Sequence, residues 1–466
     1  MTGTPREARL LSLYVKVAIF WLLVTMLAGI LNALRFMAPD FLGGISWLSY
    51  GRVRLIHTNA AAFGWITTIY LALMFYMVPR LTGAELYLGE KLGKLVLWAW
   101  TLIVAAGLVG FALGYNQGIE YGEFSWPIDI LVVVAFLVVI VMIFGAIFKR
   151  REQQLYVSLW YLMGGLVWTA LNYLVGNSVP VYLAAGVNSA AIAGFYIHNV
   201  VGLWVTPIGL AVIYYFLPVS VRSPLYSHKL SLIGFWTLAF LYPLTGAHHF
   251  IYSGIADWVE TVAIVSSVAL IIPVWTVVVN FFGTVKGNWW RFSGNLPMKF
   301  FVLGVVFYVM TCLQGPLQAL RTLQQIVHFT DWVVGHAHMA LFGVFSLWSI
   351  AAIYYMWPRL TGRELYSMKL AHWHFWLTAV GFGLMGTTLW AVGLLEGSFW
   401  QTSLPFVSYV RFAKPFWWIR LVSGIMMALG TLLFFYNLHQ TERQGRRLQA
   451  GEAPVSDLGG RVVVGA

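Results

Sequence analysis

The feature that most limits the fold is a series of twelve apolar runs, at roughly 10–34, 55–78, 92–114, 128–148, 154–176, 188–217, 230–253, 257–283, 298–318, 334–357, 370–394 and 416–438. About 20 apolar residues is the length a helix needs to cross a bilayer. Hydrocarbon offers no partner to backbone N–H and C=O groups, so each run must satisfy its own by coiling into a helix. Charged residues make up 9% of the chain against 60% hydrophobic, which leaves too little polar surface for a water-soluble fold of this size. The expectation is an all-α integral membrane protein with twelve transmembrane helices. Residues 1–441 form one domain, followed by a polar, mobile cytoplasmic tail at 442–466. The first run is too long for a cleaved signal peptide and no cleavage pattern follows it.

A formal charge of +12 invites a nucleic-acid reading, but the placement of the cations excludes it. With the N-terminus inside, one set of loops holds Arg80, Lys91, Lys94, the run Lys149-Arg150-Arg151, Arg359, Arg363 and Lys369, with more at both termini. The opposite set is poor in Lys and Arg. This is the positive-inside bias. It predicts a multi-pass membrane protein with both termini in the cytoplasm.

The runs conceal a repeat. Pro79-Arg80-Leu81-Thr82-Gly83 leads to Tyr87, Pro358-Arg359-Leu360-Thr361-Gly362 leads to Tyr366, and Pro218 leads to Tyr226 at the same spacing. Proline followed by a short polar stretch ends a helix. Runs two, six and ten are therefore equivalent members of three four-helix units. The repeat also aligns histidines. His57 and His336 each lie 22 residues before their proline, while His198 and His338 each lie 20 before theirs. At about 1.5 Å per residue all four sit roughly 30 Å from the cytoplasmic turn. His248-His249, near the outer end of run seven, reach the same level. His228, His372, His374 and His439 lie at cytoplasmic helix ends and are expected to be interfacial, solvated or hydrogen-bonded; His328 lies in an outer connection.

Ionisable residues at membrane depth are functional candidates, and imidazole is a ligand for haem iron, copper and zinc. Positions i and i+2 on a helix point about 200° apart, so His336 and His338 serve two different sites, one on each side of their helix. His57 can complete bis-histidine ligation with one of them. The other faces a three-histidine set, His198, His248 and His249, once Pro243 and Gly246 loosen the local helix. Three imidazoles with an open position suit copper or non-haem iron. A zinc site would leave three histidines without a role. Twelve spans with repeats also describe carriers, yet carriers show inverted or two-part repeats around midplane sites. Cys312 is the single cysteine, so there is no disulfide, no C-x-x-C-H haem attachment and no two-copper thiolate centre. Electrons must come from a partner.

Gly51-Arg52-Val53-Arg54-Leu55-Ile56-His57-Thr58-Asn59, Tyr196-Ile197-His198-Asn199, Tyr242 with His248-His249, and His328-Phe329-Thr330-Asp331-Trp332 with Gly335-His336-Ala337-His338 resemble the catalytic subunit of cbb3-type cytochrome c oxidases, members of the haem-copper superfamily. The resemblance runs from the first span to the twelfth. It implies low-spin haem b on His57 and His338, a high-spin b-type haem on His336, and copper (CuB) on His198, His248 and His249. It also implies a covalent link between Tyr242 and His198, with Tyr242 supplying an electron and a proton to O2. Electrons would come from membrane-anchored haem c subunits. The implied activity is reduction of O2 to water, coupled to proton uptake and pumping. Ser231, on nearly the same helix face as Tyr242, and Tyr226 are candidates for a proton route from the cytoplasm.

The superfamily also contains nitric oxide reductases, whose three-histidine metal is iron with glutamates beside it. The matching positions here are Gly202 and Leu270, which favours oxygen. Gln314 stands where cbb3-type chains carry Glu, which changes proton handling near the active-site haem and keeps NO reduction as the alternative. Glu120, Glu123 and Asp129, around Trp126-Pro127, fall in a motif whose carboxylate in the resembling family helps hold calcium beside the haem propionates, and Arg52 and Arg54 are candidate propionate partners.

Overall fold

The computed structural model describes residues 5–449 and 451–457, and these are helical with no named strand among them. Twelve long helices follow the twelve runs: α1 (Pro5–Met37), α2 (Tyr50–Thr82), α3 (Gly89–Leu113), α4 (Trp126–Phe148), α5 (Val157–Ser178), α6 (Gly186–Val221), α7 (His228–Phe250), α8 (Asp257–Val285), α9 (Leu296–Gln318), α10 (Asp331–Thr361), α11 (Met368–Trp400) and α12 (Phe406–Gln444). Eleven are long and apolar enough to cross a membrane; α5, with its Gly, Asn, Ser and Thr residues, is the remaining one of the expected twelve.

The repeat decides which helices are central. The most apolar stretches of α2, α6 and α10 are 89, 89 and 83% buried, against 33–56% for the other candidate spans around them. Each of the three central helices ends in a left-handed residue whose N–H donates to the repeat proline's carbonyl: Gly83 to Pro79, Arg222 to Pro218 and Gly362 to Pro358. Arg222 takes the conformation that its two counterparts leave to glycine, at a cost of about 1–2 kcal/mol. That substitution is why the middle unit's turn is the hardest to see in the sequence. The turn beyond is also repeated. Tyr226 N and Ser227 N donate to Thr284 Oγ1 and Asn280 Oδ1 (3.1 and 2.9 Å), as Tyr366 N and Ser367 N donate to Thr441 Oγ1 and Asn437 Oδ1 (2.9 and 3.0 Å).

Immediately below the histidines, all three central helices widen into π-helix: Ala60–Ile66, Val201–Val205 and Met339–Ser346. A π insertion adds a residue to the turn and re-aims everything above it. The histidine-bearing ends are thereby rotated relative to the packed lower halves.

Two expectations need correction. His374 is not solvated at an interface. It is fully buried, hydrogen-bonded to the Tyr354 hydroxyl at 2.9 Å and stacked on Phe434, because α11 packs closely against α12 and the Phe300, Tyr354 and Phe434 rings surround it. The tail is not free over its described part either. Helix α12 carries Glu442 to an ion pair with Lys16 (2.6 Å), Arg446 O accepts from Glu364 N, and buried Asp457 pairs with Arg359. Position 450 and residues 458–466 of the expected tail lie outside the described residues.

Candidate active site

His336 and His338 point to opposite sides of α10, and each meets a different set of partners. On one side the His57 and His338 rings lie nearly parallel, 22° apart, with centroids separated by 5.8 Å. That separation is of the order that two metal–imidazole bonds of about 2 Å each require. Both rings are fixed by backbone: His57 Nδ1 donates to Thr25 O and His338 Nδ1 to Val334 O, each at 2.8 Å. This leaves both Nε2 atoms free, the arrangement by which a second hydrogen bond sets a ligand's tautomer. Gly29 makes room: a Cβ there would lie 2.8 Å from the His57 ring.

On the other side His336 lines a cavity of about 220 Å³ together with His198, Tyr242, His248 and His249. One ligand nitrogen from each of His198, His248 and His249 falls within 4.8 Å of the others, close enough to hold one metal ion. The adjacent pair can share a site because α7 gives way to two 3₁₀ turns, Tyr242–Leu244 and Gly246–Phe250. Gly246 lets this loosened segment touch α6, since a Cβ there would come 2.5 Å from Phe195 Cα. His248 Nδ1 donates to Ser267 Oγ (2.6 Å) and His336 Nδ1 to Gln314 Oε1 (3.0 Å), so both again keep Nε2 free. His198 Nδ1 faces His249 Nε2 at 3.1 Å, while its own Nε2 is buried without a partner. The Tyr242 ring stacks on His198 with centroids 4.8 Å apart. The donor set is all imidazole; the position four residues past His198 is Gly202, and Leu270 lines the same cavity, so no carboxylate enters it from either place.

The other residues singled out from the sequence divide. Gln314 sits at the site, as the hydrogen-bond acceptor of His336. Ser231 is fully buried and its carbonyl accepts from Tyr161 Oη at 3.3 Å. Tyr226 is exposed at the proline end, its ring seated on Gly283 as Tyr87 is on Gly145. Arg52 donates to Ala112 O (2.9 Å), and Arg54 pairs with Glu120 (2.9 Å) at the exposed rim. Glu123 is buried and accepts from Asn59, two residues past His57, at 3.0 Å; burial pushes its carboxyl up to about 7. Asp129 accepts from Tyr173 Oη at 2.6 Å.

Thr25, Ser267 and the buried hydroxyls of Tyr161, Thr276, Tyr308 and Thr311 did not stand out in the sequence. Hydroxyls at helical spacing in an apolar run carry no signal of what lies across the interface. Tyr308 and Thr311 line the upper cavity, and Tyr161 and Thr276 meet near Gly234 below it.

The family model described as "Cytochrome C and Quinol oxidase polypeptide I" matches residues 9–426. "Cytochrome c oxidase subunit 1" of Rhodobacter capsulatus is 35% identical over 441 residues, covering 91% of this chain and 83% of the relative. The "Cbb3-type cytochrome c oxidase subunit CcoN1" of Stutzerimonas stutzeri is 30% identical, with 94% and 96% covered. A nitric oxide reductase chain of the same organism is more distant, at 23% identity with 90% and 91% covered. A solved heme-copper terminal oxidase dimer shares the fold with a TM-score of 0.77 at 16% identity, covering 98% of this chain and 89% of that one.

Proposed function

We propose a function from one premise: this chain belongs to the cytochrome c and quinol oxidase polypeptide I family, as a multi-pass haem-copper terminal oxidase subunit that uses haem and copper. Within that family it reduces O2 to water, with proton uptake and pumping. The observation that carries the choice of gas is the all-imidazole cluster of His198, His248 and His249, with the Tyr242 ring stacked on one member and with Gly202 and Leu270 at the two positions where a nitric oxide reductase carries glutamate. Neutral nitrogen donors without a hard oxygen ligand suit copper better than ferrous iron.

His57 and His338 would hold a low-spin haem b, His336 a high-spin b-type haem, and His198, His248 and His249 a copper ion. Bound there, the metals supply electrons to O2. The chain's own residues do the rest. Thr25 O, Val334 O, Gln314 Oε1 and Ser267 Oγ fix which nitrogen of each ring is the ligand. Tyr242 would be the chain's own source of a proton, from Oη, and of one of the electrons that O–O cleavage takes. Protons reach it from the cytoplasm past Tyr226 and Ser231, through the buried hydroxyls of Tyr161, Thr276, Tyr308 and Thr311. Arg52 and Arg54 with Glu120 and Glu123 form the outer rim, where the guanidinium groups would pair with haem propionates and the carboxylates would hold a calcium ion. With Cys312 as the one thiol, the electron donor is a membrane-anchored haem c subunit, and both termini face the cytoplasm.

Nitric oxide reduction is the second reading, favoured by Gln314 standing where cbb3-type chains carry Glu. Elemental analysis separates the two. About one copper and two haem irons per chain are expected. A third, non-haem iron without copper would overturn the oxygen reading.

A further inference from the structure

The Tyr242 ring occupies space that exists only because residue 202 has no side chain. An ideal Cβ on Gly202 would lie 1.7 Å from Tyr242 Cε1, 2.0 Å from Cδ1 and 2.3 Å from Cζ. Non-bonded carbons rest at about 3.5–4.0 Å, so a single methyl would have to drive the ring roughly 2 Å from its seat. Gly202 lies in the π-helical stretch directly below His198, the ring on which Tyr242 stacks.

Related seats occur in the other two units, the ring coming from the helix after the central one in the third and from the helix before it in the first. In the third, Gly343 of the π stretch below His338 receives Phe382, with a Cβ 2.4 Å from its Cε1. Phe382 follows Tyr242 by 140 residues, the spacing of the repeat. In the first, Gly64 receives Trp21, with a Cβ 2.9 Å from its Cγ. A ring seated on a π-stretch glycine is thus a packing device of this fold. In the middle unit alone the seated ring is a phenol stacked on a histidine of the metal cluster.

We propose that Gly202 is the positioning residue that seats the Tyr242 phenol on His198, and that a side chain at 202 and a phenol at 242 are mutually exclusive in this fold. Position 202 thereby decides whether the cavity is lined by a phenol, which serves O–O cleavage, or by a residue reaching in from α6, such as a carboxylate. This rests on the reading that Tyr242 serves O2 reduction.

The test compares Gly202→Ala, Gly343→Ala and Tyr242→Phe in the assembled complex. Haem and copper content, carbon monoxide binding, and kcat and KM for O2 are measured for each. Gly202→Ala should keep both haems, copper and carbon monoxide binding while kcat falls on the order of 10²-fold, the effect of displacing a reacting group by an ångström or more, with KM little changed. Gly343→Ala repeats the steric insult away from the phenol, so it should lower the melting temperature yet retain turnover per high-spin haem. Wild-type turnover in Gly202→Ala, with Tyr242→Phe inactive, overturns the inference. Full turnover in Tyr242→Phe overturns instead the reading beneath it. Should Gly202→Ala fail to assemble, the double variant Gly202→Ala/Tyr242→Ala, in which the ring is gone, must recover both haems and copper; if it does not, the two positions are not coupled and the inference fails.

Discussion

The two sides of α10 are built on different principles. Facing His57, the partners of the imidazoles are backbone carbonyls, Thr25 O and Val334 O, and the two rings lie nearly parallel with centroids 5.8 Å apart. Facing His198, the partners are side chains, Gln314 and Ser267, and the rings line an open cavity with a phenol at its wall. A site that only passes electrons benefits from ligands locked by main chain, since no single side-chain substitution can release them. A site that binds and cleaves a gas needs an open position and tunable neighbours. One helix serves both because its two histidines are offset by about 200°.

The sharpest way to break this comparison is to delete one side at a time. His336→Ala should abolish carbon monoxide binding and O2 reduction while the low-spin absorption survives, because His57 and His338 do not touch the cavity. His57→Ala should do the reverse, removing the bis-histidine spectrum and leaving a haem that binds carbon monoxide. Optical difference spectra with and without carbon monoxide read both variants. Loss of both haem signals in either variant would show that the two sides are not separable as described.

A smaller effect probes the side-chain partner. Gln314→Glu replaces a neutral acceptor on His336 Nδ1 with one that can be ionised. A charge-assisted bond is roughly twice as strong as a neutral one of about 1 kcal/mol. Strengthening it by ~1 kcal/mol favours the ferric state and lowers the high-spin midpoint by roughly 40 mV for a one-electron couple. The low-spin midpoint should stay where it is. A redox titration in which only the low-spin haem moves, or the high-spin one rises, would contradict the hydrogen bond's assigned role.

The histidine level was legible because three proline turns share one spacing and helices convert residue count into depth. Which histidine of the pair meets His57 was not, since that depends on how α2 and α10 rotate about each other. The π stretches below His57, His198 and His338 leave no mark in composition, and Gly202 reads from sequence only as a missing glutamate. Its use as a seat for Tyr242 requires knowing that a residue 40 positions later returns to within van der Waals contact. His374 shows the limit of counting depth. Its distance from the turn placed it near an interface, but α12 covers it through Phe434. Asp457 shows the same for the tail, where polar composition hid a buried ion pair with Arg359.

The smallest expected effect tests the rim between the two sides. Glu123, buried beside Asn59 in the connection before α4, has its carboxyl raised to about 7, chiefly by burial and against the lowering hydrogen bond from Asn59. A carboxyl whose folded value exceeds its unfolded one contributes stability that is complete below about 4.5 and is lost as pH rises through 7. In calcium-free buffer the wild-type melting temperature should therefore fall between pH 5 and pH 8 by more than that of Glu123→Gln. At pH 8 the variant should be more stable by roughly 3 kcal/mol, the linkage equivalent of that displacement. Gln keeps an acceptor for Asn59 Nδ2, so the two proteins should converge at pH 5. Calcium seated at Glu120 and Glu123 would favour the ionised carboxylate and flatten the wild-type slope while leaving the variant unmoved. Identical pH slopes for the two proteins without calcium would mean that Glu123 does not ionise in place, and the rim would then be held by Arg54–Glu120 alone.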